Sequence, residues 1–134
     1  MWNDPTQDEL EQLPNLYDAE DVEAMDKIIF MHLFIGGCDW YLAEYDPNER
    51  LFFGFAILNG DLDNAEWGYI SLDELRQIKI GWLEIDRDLH WKPRRAEEVK
   101  QIAAASGWNA PVQSTPPKRV MDEHSLADAH CHES

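Results

Sequence analysis

Positive charge is what this sequence has least of. Eleven Lys and Arg stand against 27 Asp and Glu, a formal net charge of −16 over 134 residues. The first 26 residues hold nine acids and no base. Phosphate contacts need clustered Lys and Arg, and no such cluster occurs, so direct binding of nucleic acid or of an acidic membrane surface is not expected. Cysteine is scarce as well: Cys38 and Cys131 make no disulfide framework, and free thiols suit a reducing compartment. Long apolar runs are missing, since none approaches the roughly 20 residues of a membrane span. Met1-Trp2-Asn3-Asp4-Pro5 has neither the basic nor the apolar region of a signal peptide. A cytoplasmic protein is expected. No Walker loop, GxSxG or GxGxxG is present, and no cofactor is implied.

Aromatic residues, by contrast, are plentiful. Fifteen of them in one chain argue for a packed core, and this length buries about two-thirds of the unfolded surface. The densest stretch is Asp39 to Tyr69. Two apolar runs, Trp40–Tyr45 and Leu51–Leu58, flank the turn-rich Asp46-Pro47-Asn48-Glu49-Arg50, and a third run, Glu66–Ile70, follows another loop. This is the pattern of an antiparallel meander. Alternation puts Trp40, Leu42 and Glu44 on one face and Tyr41, Ala43 and Tyr45 on the other. In the partner strand it puts Leu51, Phe53, Phe55 and Ile57 opposite Phe52, Gly54 and Ala56.

Outward from this centre, residues 1–12 read as a flexible acidic N-terminus. Residues 13–108 read as one α+β domain, and 109–134 as a polar tail containing Pro and His. Leu13, Leu16 and Tyr17 are expected to tuck onto the sheet, with a short helix from Asp18 to about Met25. Lys27–Ile35 reads as one buried strand, turned into the hairpin by Gly36-Gly37. Ser71-Leu72-Asp73-Glu74 is a capping box opening a helix to about Gln77. Ile80–Asp86 reads as a further strand, Asp86–Pro93 as extended chain, and Arg94 to Ala105 as a helix stopped by Gly107. The fold expected is α+β: an antiparallel meander sheet of four to five strands, with two to three short helices packed on one face.

Several segments together resemble a known family. They are Leu13-Pro14-Asn15-Leu16-Tyr17, then Trp40 to Asp46, then Leu51-Phe52-Phe53-Gly54-Phe55, then Glu66 to Leu75, and finally Ile85-Asp86-Arg87-Asp88-Leu89-His90-Trp91-Lys92-Pro93. In this order they resemble the uncharacterised bacterial domain of unknown function 2958, over about residues 13–98. The resemblance implies a bacterial origin and an association with plasmids, phages and other mobile elements. It implies no established activity and supplies no catalytic residues.

Three surfaces emerge as candidates. The acidic stretch Asp18, Glu20, Asp21, Glu23 and Asp26 could meet a basic protein partner by imitating the charge of a polyanion. Asp86, Asp88 and His90 alternate along a segment read as extended. With Glu44, Glu66 and Asp46 nearby they could make a polar or divalent-metal site, although ion pairing is the plainer role for such residues. Trp40, Phe52, Trp67, Tyr69, Trp82 and Trp91 could line a peptide groove, or simply be core. The loop Asn59-Gly60-Asp61-Leu62-Asp63-Asn64 lacks the spacing of a calcium-binding EF-hand and reads as a turn. His124, His130, Cys131 and His132 are too compact for zinc-finger spacing. Cys38 lies in acidic surroundings that disfavour a thiolate. The function expected is a non-enzymatic, acidic protein-binding module of a mobile element or phage, in its sharper form a DNA-mimic-like inhibitor of a host nucleic-acid-processing or defence complex. The alternatives are a small metal-dependent enzyme using Asp86, Asp88 and His90, and a peptide-binding adaptor using an aromatic sheet face.

Overall fold

A computed structural model of the chain describes residues 1–108. The centre is the hairpin of β3 (Cys38–Asp46) and β4 (Leu51–Ile57). Asp46 closes its turn, the carboxylate accepting from the Asn48 N–H at 2.9 Å, as Asx residues do. β2 (Met31–Ile35) precedes β3 through the Gly36-Gly37 turn, where Gly36 takes φ 56°. β5 (Glu66–Ser71) follows β4. These four strands form the expected antiparallel meander. A fifth strand, β8 (Asp86–Arg87), joins the far side of β2, so the order is β5-β4-β3-β2-β8. Three short α-helices accompany this sheet among the described residues: α1 (Gln7–Leu10), α2 (Leu72–Gln77) and α3 (Lys100–Ser106).

The helices lie on both faces, where one face was expected. Leu10 of α1 and Leu72 and Leu75 of α2 join Leu33, Leu42, Phe52 and Ile85 in one core. Ile102 and Ala103 of α3 join Ile29, Tyr41, Phe55 and Ile57 in a second. The reason is visible in β3, whose residues 40–45 are all buried. A strand that is apolar on both sides needs a cover on each.

The alternation along β3 is inverted half-way. Pairing with β4 shifts register between Leu42 and Glu44, leaving Ala43 as the extra residue of a β-bulge. Beyond it, Tyr45 joins the core of Trp40 and Leu42, and Glu44 comes opposite Phe53. The expected grouping of Glu44 with Trp40 and Leu42 therefore does not form. Gly54 serves the bulge: a Cβ there would lie 2.3 Å from the Tyr41 carbonyl oxygen. β4, which has no bulge, keeps its expected faces, with Phe55 and Ile57 on one side and Phe52 and Ala56 on the other.

The periphery departs further from expectation. Residues 1–12 are tied down rather than loose. Thr6 and Glu9 form a capping box on α1, Leu10 is buried, and the Trp2 N–H donates to the Ile85 carbonyl at 2.8 Å. Burial of Leu10 and Leu13 offsets the ordering entropy that their polar neighbours cannot. Asp18–Met25 is a run of turns, ending in a 3-10 turn at Ala24–Asp26, and not a helix. Tyr17 sits at φ 74°, and the segment offers no apolar stripe whose burial could offset the cost of nucleating so short a helix. Lys27–Ile35 is split: β1 (Ile28–Ile29) leaves the main sheet to pair with β9 (Arg94–Arg95). Ile80–Asp86 is interrupted by Gly81 at φ 63°, which folds β6 (Lys79–Ile80) onto β7 (Leu83–Glu84). The last helix begins only at Lys100, after β9 and a 3-10 turn at Ala96–Glu98. It ends, as expected, at Gly107, with φ 74°. α2 spans Leu72–Gln77, with the Ser71 hydroxyl accepting from the Glu74 N–H at 3.2 Å. The His124, His130, Cys131 and His132 group and the 109–134 tail lie outside the described residues.

Candidate partner-binding surface

The five acids singled out by charge lie on one exposed segment. Asp18, Glu20, Asp21, Glu23 and Asp26 are all exposed. Asp18 accepts from the Asn15 N–H at 3.0 Å, and Asp26 meets Arg95 at 3.3 Å. The carboxylates of Glu20, Asp21 and Glu23 make no ion pair or hydrogen bond among the described residues. Their charge faces solvent, where a partner can reach it.

One part-buried ion pair holds this segment on the sheet. Lys27 Nζ lies 3.2 Å from Glu44 Oε2 and donates to the Ala19 carbonyl at 2.7 Å. The other carboxylate oxygen of Glu44 accepts from the Tyr17 N–H at 3.1 Å. Glu44 is only 3% exposed, yet both its oxygens are occupied. A buried carboxylate satisfied in this way is an anchor. The bulge at Ala43 is what aims it here.

Beside the anchor runs a lane of aromatic rings. Phe53 stacks on Trp67 at 5.7 Å and meets Tyr69 edge-on at 5.5 Å. Lys27 Nζ lies 5.6 Å from the Phe53 ring centre. Tyr17 and Tyr69 are 61% and 55% exposed, and their hydroxyls are 3.3 Å apart. That hydrogen bond, then partial burial and the nearby Glu44 and Glu20 charges, raise the Tyr69 pKa above the ordinary phenol range. A cavity of about 210 Å³ opens between Tyr17, Tyr69, Phe53, Glu20, Glu44 and Lys27. The six aromatics weighed for a groove thus divide. Trp40 and Phe52 are core, Trp67 and Trp91 are half-buried against it, and Tyr69 and Trp82 face solvent.

The alternative polar set is not brought together. Glu66 is on β5 and Asp86 on β8, the two opposite edges of the five-stranded sheet, roughly 19 Å apart at the usual strand spacing. Asp86 accepts from the Asn3 side chain at 2.7 Å. Past β8 the chain does not stay extended. It turns at Asp88, whose carboxylate accepts from the His90 N–H at 3.0 Å and whose carbonyl accepts from the Trp91 N–H at 3.2 Å. The turn takes His90 out of the expected alternation and leaves its side chain exposed. Asp46 is spent on its hairpin turn. Among the described residues no group of three or more His, Cys, Asp and Glu is arranged to hold a metal ion.

A polar cluster that the sequence reading passed over surrounds His32. Its Nε2 lies 2.7 Å from Asp39 Oδ1, and its Nδ1 is 3.8 Å from Asp88 Oδ2. The ring stacks on Tyr41 at 4.5 Å and packs near Trp91 at 5.5 Å. The Tyr41 hydroxyl donates to Gln101 Oε1. Burial first, then the Asp39 and Asp88 charges, push the Tyr41 pKa well above the ordinary phenol value. The available signal was one imidazole inside the otherwise apolar run Ile28–Ile35. The cluster ties β2, β3 and the Asp88 turn together. Cys38 is half-buried, and its Sγ accepts from the Asn59 N–H at 3.4 Å.

The family described as Protein of unknown function (DUF2958) matches residues 6–107. The chain belongs to this family. The match reaches past both ends of the segments that carry the resemblance, taking in α1 and α3. No curated protein and no solved structure matches the chain. No described helix is long and apolar enough to cross a membrane.

Proposed function

We propose that this chain is a non-enzymatic, acidic protein-binding module that presents the Tyr17–Asp26 segment to a basic protein surface. The observation that carries the reading is the set of exposed carboxylates of Asp18, Glu20, Asp21, Glu23 and Asp26, on a segment pinned by the part-buried Lys27–Glu44 pair. A pre-positioned acidic patch speeds encounter with a cationic partner and selects against anionic ones. In its sharper form the partner is a nucleic-acid-processing or defence complex of a bacterial host, occupied in its basic channel by a protein carried on a mobile element and acting in the cytoplasm. The net charge of −16 supports that form, as does the mobile-element association implied by the family resemblance.

The test is capture on immobilised protein from bacterial lysate with nuclease added, run beside the variant Asp18→Asn/Glu20→Gln/Asp21→Asn/Glu23→Gln. A partner retained at low salt, released at high salt and lost in the variant is the expected result. Equal retention by the variant would remove the acidic segment from the interface.

A further inference from the structure

We infer that the free edge of β5 receives an extended, Lys- or Arg-bearing segment of the partner protein as a further strand of the sheet. The partner's cationic side chains would then lie along the Tyr69–Phe53–Tyr17 lane towards Glu20. This rests on the basic-partner reading above and adds how that partner docks.

Three observations converge on β5. The first is its edge. Among the described residues β5 pairs only with β4, through an unbroken register from Leu51↔Ser71 to Ala56↔Glu66. An exposed edge is a template for another strand, and proteins usually blunt it with Lys, Pro, a bulge or extreme shortness. Glu66-Trp67-Gly68-Tyr69-Ile70-Ser71 has six residues with no Lys, Pro or bulge, and its one charge, Glu66, lies at its end. The second is Gly68. A Cβ built there meets nothing within 4 Å among the described residues, so none of their contacts calls for glycine. Glycine in a strand weakens it and often marks a bulge, a tight bend or a close approach of ligand or backbone, and at Gly68 the register shows no bulge. The third is the aromatic lane. It already accepts one cation, Lys27, at 5.6 Å from the Phe53 ring centre. Glu44 neutralises that charge, so Glu20 leaves the cavity net negative.

Charge decides the occupant. A second copy of this chain would bring another −16 to the same edge, whereas a cationic strand is drawn to it. Alternate side chains of an added strand would fall beside Trp67 and Tyr69, and the remainder on the face of Glu66, Gly68 and Ile70, where Gly68 leaves room at the centre.

The experiment uses the full chain. A displayed library of random dodecapeptides is selected on it at low salt, and the most enriched peptide is synthesised. Affinity is measured at low and high salt, and backbone amide exchange by NMR. The expected result is Lys or Arg at alternate positions, with β5 amides slowed about tenfold or more by the peptide. Tyr69→Ala should weaken binding about tenfold, and Gly68→Ile should weaken it while the melting temperature is kept. A basic peptide that protects residues 17–26 and leaves β5 exchange unchanged overturns strand addition but keeps the basic partner. Neutral peptides enriched on β5 overturn the basic occupant, and absence of any enrichment overturns the inference outright.

Discussion

The two edges of the sheet are treated very differently. The β8 edge is two residues long. Arg87 pairs with Glu9 of the N-terminal segment at 3.1 Å, and His32 and the Asp88 turn lie beside it. The β5 edge is three times that length, aromatic and uncovered by any described strand. The β8 edge is short and held by the fold's own residues, whereas the longer β5 edge is the one the proposed partner strand would use. The same contrast appears in a single pair of residues. Gly54 and Gly68 face each other across β4 and β5. The first is demanded by a carbonyl 2.3 Å from where its Cβ would be, the second by nothing among the described residues.

That contrast can be broken, beginning with the largest effect. Gly54→Val drives a side chain into the Tyr41 carbonyl and is expected to abolish cooperative folding, by more than the roughly 1–3 kcal/mol of ordinary overpacking. Loss of the thermal transition in calorimetry is the readout, and a normal transition would mean that the bulge can relax. Glu44→Ala leaves the part-buried Lys27 and the Tyr17 N–H without their partner and should cost about 2 kcal/mol in urea denaturation. Replacing the pair together, Lys27→Met with Glu44→Leu, should restore most of that loss.

Smaller effects sharpen the picture. Tyr41 ionises less readily folded than unfolded. Its contribution is therefore complete below the unfolded pKa of about 10 and is lost as pH rises beyond it, by up to about 1.4 kcal/mol per pH unit. Urea midpoints from pH 8 upward should fall less steeply in Tyr41→Phe than in the parent protein. Ser71→Ala removes the α2 cap and should cost about 1 kcal/mol. Gly68→Thr should leave stability unchanged or raise it by about 0.5 kcal/mol, and a marked loss of melting temperature would show that Gly68 has a contact of its own to protect.

Those predictions also mark what could be read in advance. α2 was legible because Ser71 and the periodic Leu72 and Leu75 are local signals, and local hydrogen bonds honoured them. The hairpin was legible from the Asp46–Arg50 turn between two aromatic runs. The faces of β3 were not, because a bulge is decided by a residue on the neighbouring strand, Gly54, and leaves no mark on its own strand. The helix expected at Asp18–Met25 failed because acids suited to a first turn had no apolar stripe behind them. The five acids singled out by charge are exposed, as charged residues without an apolar stripe are expected to be. Alternation alone misgrouped Asp86, Asp88 and His90, because an Asx turn at Asp88 overrides it. The His32 cluster depends on partners from three separate segments, and spacing within one segment carries no trace of that.

The bulge at Ala43 acts as a phase inverter. Everything before it in β3 obeys one assignment of inside and outside, and everything after it obeys the opposite one. Chain length is therefore information at this point in a way that it is not in the surface loop 59–65. If the strand ran on regularly through Ala43, with every residue paired in turn, all side chain types and both strands would be kept. Glu44 would nevertheless turn towards the Trp40 and Leu42 core and Tyr45 outward, releasing the hook that holds Tyr17 and Lys27. The acidic segment thus inherits its position from one unpaired residue in a strand it does not belong to.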